Sequence, residues 1–185
     1  MEIKRINFDK TVKMHEACAD DDLRPAMQCV YFENGYAYAS DGIIVVRNKV
    51  AEICNLDDEQ QGLLNGKMLH KNHYKDILSY DFIEVSEDGI ECKHTKTGRV
   101  SFFYFYDKTK YPNVDSVISS VDVLPNTPLE KIGLDGNNLK KLCDSMFEGR
   151  SVFFSFKGAD KGIVVRSLMY SNSVALMMPR IIDTV

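Results

Sequence analysis

The stretch QCVYFENGYAYASDGIIVVR, residues 28–47, decides how the chain reads. Apolar and β-branched residues fill three short runs, 28–33, 36–40 and 43–47, broken by Asn34-Gly35 and Asp41-Gly42. Asn-Gly and Asp-Gly supply the positive φ angles that two-residue hairpin turns demand, so the stretch predicts three antiparallel strands in a meander. Upstream, residues 2–8 predict a strand, and Asp9 an N-cap for a helix of about three turns ending at Ala19.

Downstream, the order strand, helix, three strands returns twice. A polar connection, 55–66, leads to a strand at 67–70, a helix at 72–80, and strands at 82–85, 89–94 and 99–106. After residues 107–127 come a strand at 129–134, Asp135 as a cap, a helix at 137–146, and strands at 151–157, 162–168 and 174–181. The chain therefore predicts an α+β fold of three repeated β-α-β-β-β units, helices on one face and antiparallel sheets on the other. Units one and two make a domain over 1–120, and unit three a half-domain over 121–185.

Each predicted helix has an apolar side and a lysine-bearing side. Leu139, Leu142, Cys143 and Met146 oppose Lys140 and Lys141; Tyr74, Ile77 and Leu78 oppose Lys71 and Lys75; Val12, Met14 and Cys18 oppose Lys10 and Lys13.

Composition narrows the function. A formal charge of -4 excludes a protein that coats nucleic acid by bulk electrostatics, so any DNA contact must come from a local basic patch. Five scattered cysteines with no CxxC pair imply reduced, buried thiols. No apolar run approaches the roughly 20 residues of a membrane helix, and the charged start MEIKRINFDK is no signal peptide, which places the protein in the cytosol with no membrane partner. GxSxG, HExxH, P-loop and GxGxxG motifs are all missing, so no enzyme, cofactor or metal is expected. His70 and His73 with Cys92 and His94 come nearest to a zinc set, but they flank a helix start and lie along a strand.

Three motifs carry a resemblance to the bacterial DNA polymerase III beta subunit, the sliding clamp. Tyr38-Ala39-Ser40-Asp41-Gly42-Ile43-Ile44-Val45 resembles the family's "ATDGHRL" hairpin, with Ile43 and Ile44 replacing its His-Arg pair. Residues Tyr111 to Ile118 are similar to its "FPDYxxVLP" segment, and residues Val174 to Ile181 to its final "YVVMPMRL" strand. The resemblance implies a clamp-like fold whose helices line a hole and whose sheets form the outer wall. It implies a groove for short partner peptides, with Ser40, Gly42, Ile43 and Val45 on one wall, Leu176, Met178, Pro179 and Ile181 on the other, and Ile118 nearby.

It also implies non-sequence-specific contact with double-stranded DNA through Lys10, Lys13, Arg24, Lys71, Lys75, Lys140 and Lys141, while Asp57, Asp58, Glu59, Glu87 and Asp88 sit outward. The implied partners are a DNA polymerase or other replication and repair proteins bound through short linear motifs. Family members hold six units per chain and close rings of twelve, so three units here imply a homo-oligomer, four chains to a ring. The alternative is an interaction module of the same fold that does not encircle DNA.

Overall fold

The computed structural model describes residues 5–169 and 172–181. The opening meander forms as β1 (Cys29–Glu33), β2 (Tyr36–Ser40) and β3 (Ile44–Lys49), turned at Asn34 (φ 51) and Gly35 (φ 78). Two short helices follow, α1 (Val50–Ile53) and α2 (Asp58–Leu63). Unit two is β4 (Met68–His70), α3 (Lys71–Ile77), β5 (Phe82–Val85), β6 (Gly89–Lys93) and β7 (Val100–Tyr104). Helix α4 (Val114–Asp122) leads to unit three: α5 (Gly136–Ser145), β8 (Val152–Ser155), β9 (Ile163–Ser167) and β10 (Val174–Met177).

The strands form two antiparallel sheets. One has seven strands in the order β4-β1-β2-β3-β10-β9-β8; the other is β5-β6-β7. Strand β10 pairs directly with β3, Met177 opposite Ile44 and Val174 opposite Arg47, so the large sheet runs without a break from unit one into unit three.

Period-two alternation divides the large sheet into two apolar faces. Val30, Phe32, Ala37, Ala39, Ile44, Val46, Ile163, Val165, Ala175 and Met177 belong to the main core, with Tyr74 and Ile77 of α3 and Leu142 of α5. Val164, Val174 and Leu176 face the other way, beneath Ile118 of α4, with Val45 and Val121 packed against them. Every residue of β10 is buried because helices cover both faces there.

Four local expectations need correction. Residues 9–19 form a single 3-10 turn, Met14–Ala17, rather than a three-turn helix. The carboxylate of Asp9 accepts from Thr11 N and Thr11 Oγ1, each at 2.8 Å, and so closes a local turn instead of capping a helix. Its apolar residues are still inside: Val12, Met14 and Cys18 are buried. Residues 129–134 make no strand, only a bridge from Gly133 to Arg180. The connection 55–66 holds α2, capped by Asp57, and 107–127 holds α4, capped by Asn113. Of the first predicted strand, residues 2–4 lie outside the described residues, while Ile6 bridges Phe82 and Phe8 bridges Cys54.

Candidate functional site

Helix α3, the 14–17 turn and α5 lie side by side on one face of the large sheet, and this placement gathers the lysines. A depression of about 270 Å³ is lined by His15, Glu16, Asp20, Lys71, Lys75 and Lys141, among others. Lys71 donates to the Ala19 carbonyl at 2.7 Å and pairs with Asp20, so most of its charge is already answered. That hydrogen bond from Lys71 holds the Asp20 carboxyl below its ordinary range. Lys75 and Lys141 make no ion pair among the described residues. His15, which lines the same depression, is half-buried, and burial pushes its pKa below the ordinary value.

A second cleft, about 780 Å³, runs between residues 9–13 and the end of α5 and takes in Lys10, Lys13 and Arg150. Lys13 lies 3.5 Å from Glu16 and 3.6 Å from Asp144, and Lys140 is 2.5 Å from Asp144. Lys10 has no ion pair among the described residues. The sequence reading missed Arg150, which follows the helix in a Glu-Gly-Arg turn that its periodicity does not reach. Arg24 is elsewhere: it pairs with Asp21 at 2.5 Å and donates to the Asp41 carbonyl at 2.9 Å, beside the hairpin. Of the expected outward carboxylates, Asp57, Asp58 and Glu59 start α2, and Glu87 lies 3.4 Å from Lys67.

The hairpin and the last strand are adjacent. Met178 N donates to the Ile43 carbonyl at 3.0 Å, which extends the β3–β10 pairing to the turn. Asp41 accepts from Ile43 N and Ile44 N, both at 2.8 Å, and Ser40 Oγ donates to the Ile44 carbonyl at 2.8 Å while accepting from Gly42 N at 3.1 Å. Gly42 has φ +91, a conformation that L side chains rarely adopt, so the turn favours glycine there, with the flexible end of the Arg24 side chain lying over it.

The nine residues assigned to the groove divide by burial. Ser40, Ile118 and Leu176 are buried, and Val45 and Pro179 are half-buried. Gly42 is exposed, as are Ile43 (46%), Met178 (47%) and Ile181 (92%). The reason is α4, which lies on this face of the sheet. Arg47 holds its first turn through Asp115 at 2.7 Å, and Arg166 holds its last through Asp122 at 2.6 Å. Lys157 Nζ donates to the carbonyls of Asp122 (3.0 Å) and Leu124 (2.8 Å), closing the helix end. The spacing of Val114, Ile118 and Val121 carries this helix in the sequence, but its β-branched composition argues against one.

Among the described residues no three His, Cys, Asp or Glu side chains are grouped to hold a metal, and no helix is long and apolar enough to cross a membrane. His94 lies 3.7 Å from Asp81, and Cys92 is buried in the core.

With this geometry the chain is similar to solved DNA polymerase sliding clamps. It superposes on the Bacillus subtilis clamp with a TM-score of 0.59 at 12% identity, over 98% of this chain and 65% of that one. For the C. crescentus beta sliding clamp the values are 0.61 and 10%, over 97% and 66%. For the DNA polymerase III subunit beta of Pseudomonas aeruginosa they are 0.60 and 14%, over 93% and 63%. The chain has the α+β sliding-clamp fold and spans about 65% of the length of the Bacillus subtilis clamp. No family model and no curated protein matches the sequence.

Proposed function

We propose that the chain is a sliding-clamp-like processivity or adaptor protein of DNA replication, working in the cytosol without catalysis. Its helix face touches the DNA backbone, and its hairpin and last strand hold partner peptides. The observation that carries this reading is the gathering of Lys71, Lys75 and Lys141 around one depression, with Lys10 and Lys13 on the adjoining cleft. Ammonium groups on long stems contact phosphates without reading bases, which permits sliding.

Peptide binding falls to Ile43 and Met178, exposed apolar residues at the seam of β3 and β10, and to the exposed Ile181 beyond the end of β10. Adaptable methionine and aliphatic surfaces suit the anchors of a short linear motif from a polymerase or repair protein. A second reading is a clamp-fold interaction module that does not encircle DNA. The pairing of Lys13, Lys71 and Lys140 with carboxylates, which spends part of the basic face internally, favours it.

The discriminating variant is Lys10→Glu/Lys75→Glu/Lys141→Glu, which reverses the lysines without an ion pair. Under the first reading it loses at least tenfold in affinity for a random-sequence duplex at low salt, followed by fluorescence anisotropy, and keeps its thermal midpoint. Unchanged duplex binding would remove the DNA role and leave the module.

A further inference from the structure

On the face of the large sheet turned away from α3 and α5, the part beside α4 is lined by tyrosines. Alternation along β1 and β2 sends Val30, Phe32, Ala37 and Ala39 into the main core and Tyr31, Tyr36 and Tyr38 to this side. Tyr111, just ahead of α4, stacks on Tyr31 with ring centroids 4.8 Å apart and planes 20° from parallel. Tyr38 lies 6.2 Å from Tyr31, and Tyr36 lies 6.4 Å from Tyr38, so four rings form one row. Next to Tyr31 and Tyr111 is a cavity of about 490 Å³, walled also by Met68, Phe105 and Tyr106. Backbone hydrogen bonds fix that wall: Tyr106 N donates to the Met68 carbonyl at 2.8 Å and Phe105 N to the Asp88 carbonyl at 3.0 Å. Segment 105–106 thus lies along β4, and what the cavity offers a ligand is side chains.

Charge separates this trough from the lysine face. Asp88 and Asp107 line the cavity without an ion pair among the described residues, while Lys67 is answered by Glu87 at 3.4 Å. Glu33 adds a carboxylate beside Tyr31 and Tyr38. Burial, and then the neighbouring Glu33, push the Tyr31 phenol up to about 12. Against these three carboxylates stands Lys110, the one lining cation with no ion pair among the described residues. Twice along the trough the chain sets a cation of its own over a ring and against a carboxylate. Arg47 lies 4.8 Å from the Tyr36 centroid and 2.7 Å from Asp115, and Lys67 Nζ lies 5.6 Å from the Phe105 centroid, beside Glu87. Tyr31 and Tyr106 share their pockets with Glu33, Asp88 and Asp107 but have no cation over them among the described residues.

We propose that this trough binds a basic, proline-rich segment of a partner protein, its arginines seated over Tyr31 and Tyr106 against those carboxylates. A guanidinium over a ring and beside a carboxylate repeats what Arg47 already does at Tyr36. Proline gives the remaining rings flat apolar surface to meet, on an extended backbone with little entropy left to lose. The surplus of carboxylates turns away phosphate-bearing partners. The trough lies on the other face of the sheet from the lysines and shares no residue with the Ile43 and Met178 seam, so it stands or falls independently of the DNA and aliphatic-peptide readings.

Fluorescence anisotropy with labelled synthetic peptides tests it. A peptide of alternating arginine and proline binds the unaltered chain, one of alternating glutamate and proline does not, and one of alternating arginine and glycine binds about tenfold more weakly. Asp88→Lys/Asp107→Lys lowers affinity for the arginine-proline peptide by about tenfold or more, and so does Tyr31→Leu or, should that variant unfold, Tyr106→Leu, with folding checked by the thermal midpoint. Glu130→Lys/Asp160→Lys, the same change of charge on unit three, leaves the affinity within about twofold. No binding of the arginine-proline peptide overturns the proposal, as does equal binding of the glycine peptide. Equal weakening by the two charge reversals overturns it too, since that is bulk attraction to an acidic chain. Undiminished binding by a folded tyrosine variant leaves the rings without a role, and preference for the glutamate peptide assigns the trough an acidic partner; either result contradicts the proposal.

Discussion

Asn48 joins three parts of the chain from inside the core. Its Nδ2 donates to the Ser145 carbonyl at 2.8 Å, and its Oδ1 accepts from Phe147 N at 2.8 Å and Ser173 Oγ at 2.7 Å, with the side chain fully buried. The end of β3, the end of α5 and the approach to β10 therefore share one amide. Truncation takes this partner from the buried Ser145 carbonyl and Ser173 hydroxyl, at about 1–3 kcal/mol for each group that water cannot reach. Asn48→Ala is expected to lower unfolding stability by roughly 2–4 kcal/mol in urea titrations. None of this was legible in the sequence, where an asparagine closing a strand reads as a turn residue and its partners lie about a hundred positions away. Gly42 was legible, because an Asp-Gly turn demands its conformation wherever the chain then goes.

The elements that the sequence misplaced are those whose local preference loses to tertiary contact. Segment 9–19 has helical spacing, but the Asp9 turn and the β-branched Thr11 and Val12 leave one 3-10 turn, with burial kept and the helix lost. Helix α4 is the reverse case, a poor helix former held by the sheet beneath it. Ile118→Ala should cost about 2–4 kcal/mol, because the side chain fills a closed space between Val164, Val174 and Leu176. The ion pair at the helix end adds a pH dependence. The hydrogen bond from Arg166 holds the Asp122 carboxyl below its ordinary value. A depressed folded pKa means stability that is present above the unfolded value near 3.9 and lost as pH falls through the folded one. Urea midpoints at pH 7 and pH 3 should therefore differ less for Asp122→Asn than for the unaltered chain. An equal difference would mean that the pair contributes nothing.

Across the whole molecule, the meanders that follow each predicted helix and the clamp-like α+β architecture were legible, because turn chemistry and period-two alternation are local signals. The joining of β10 to β3 lay beyond those signals. A strand apolar on both faces says that it is covered, not which edge it joins. That junction places the hairpin beside the last strand and sets α3 and α5 on one face, so both proposed surfaces follow from it. At the peptide surface, Ile43→Asp/Met178→Lys should abolish binding of synthetic peptides with aliphatic and aromatic anchors, leaving the thermal midpoint within about 2 °C because both side chains are nearly half exposed.

The lysine face makes the sharper demand, and salt dependence of duplex binding tests it most directly. Three lysines without ion pairs, Lys10, Lys75 and Lys141, should release about three counterions, so that log K for a random-sequence duplex falls linearly with log salt at a slope near -3 and is the same for unrelated sequences. No binding at low salt, or an affinity that salt leaves unchanged, would contradict the assignment of this face to DNA.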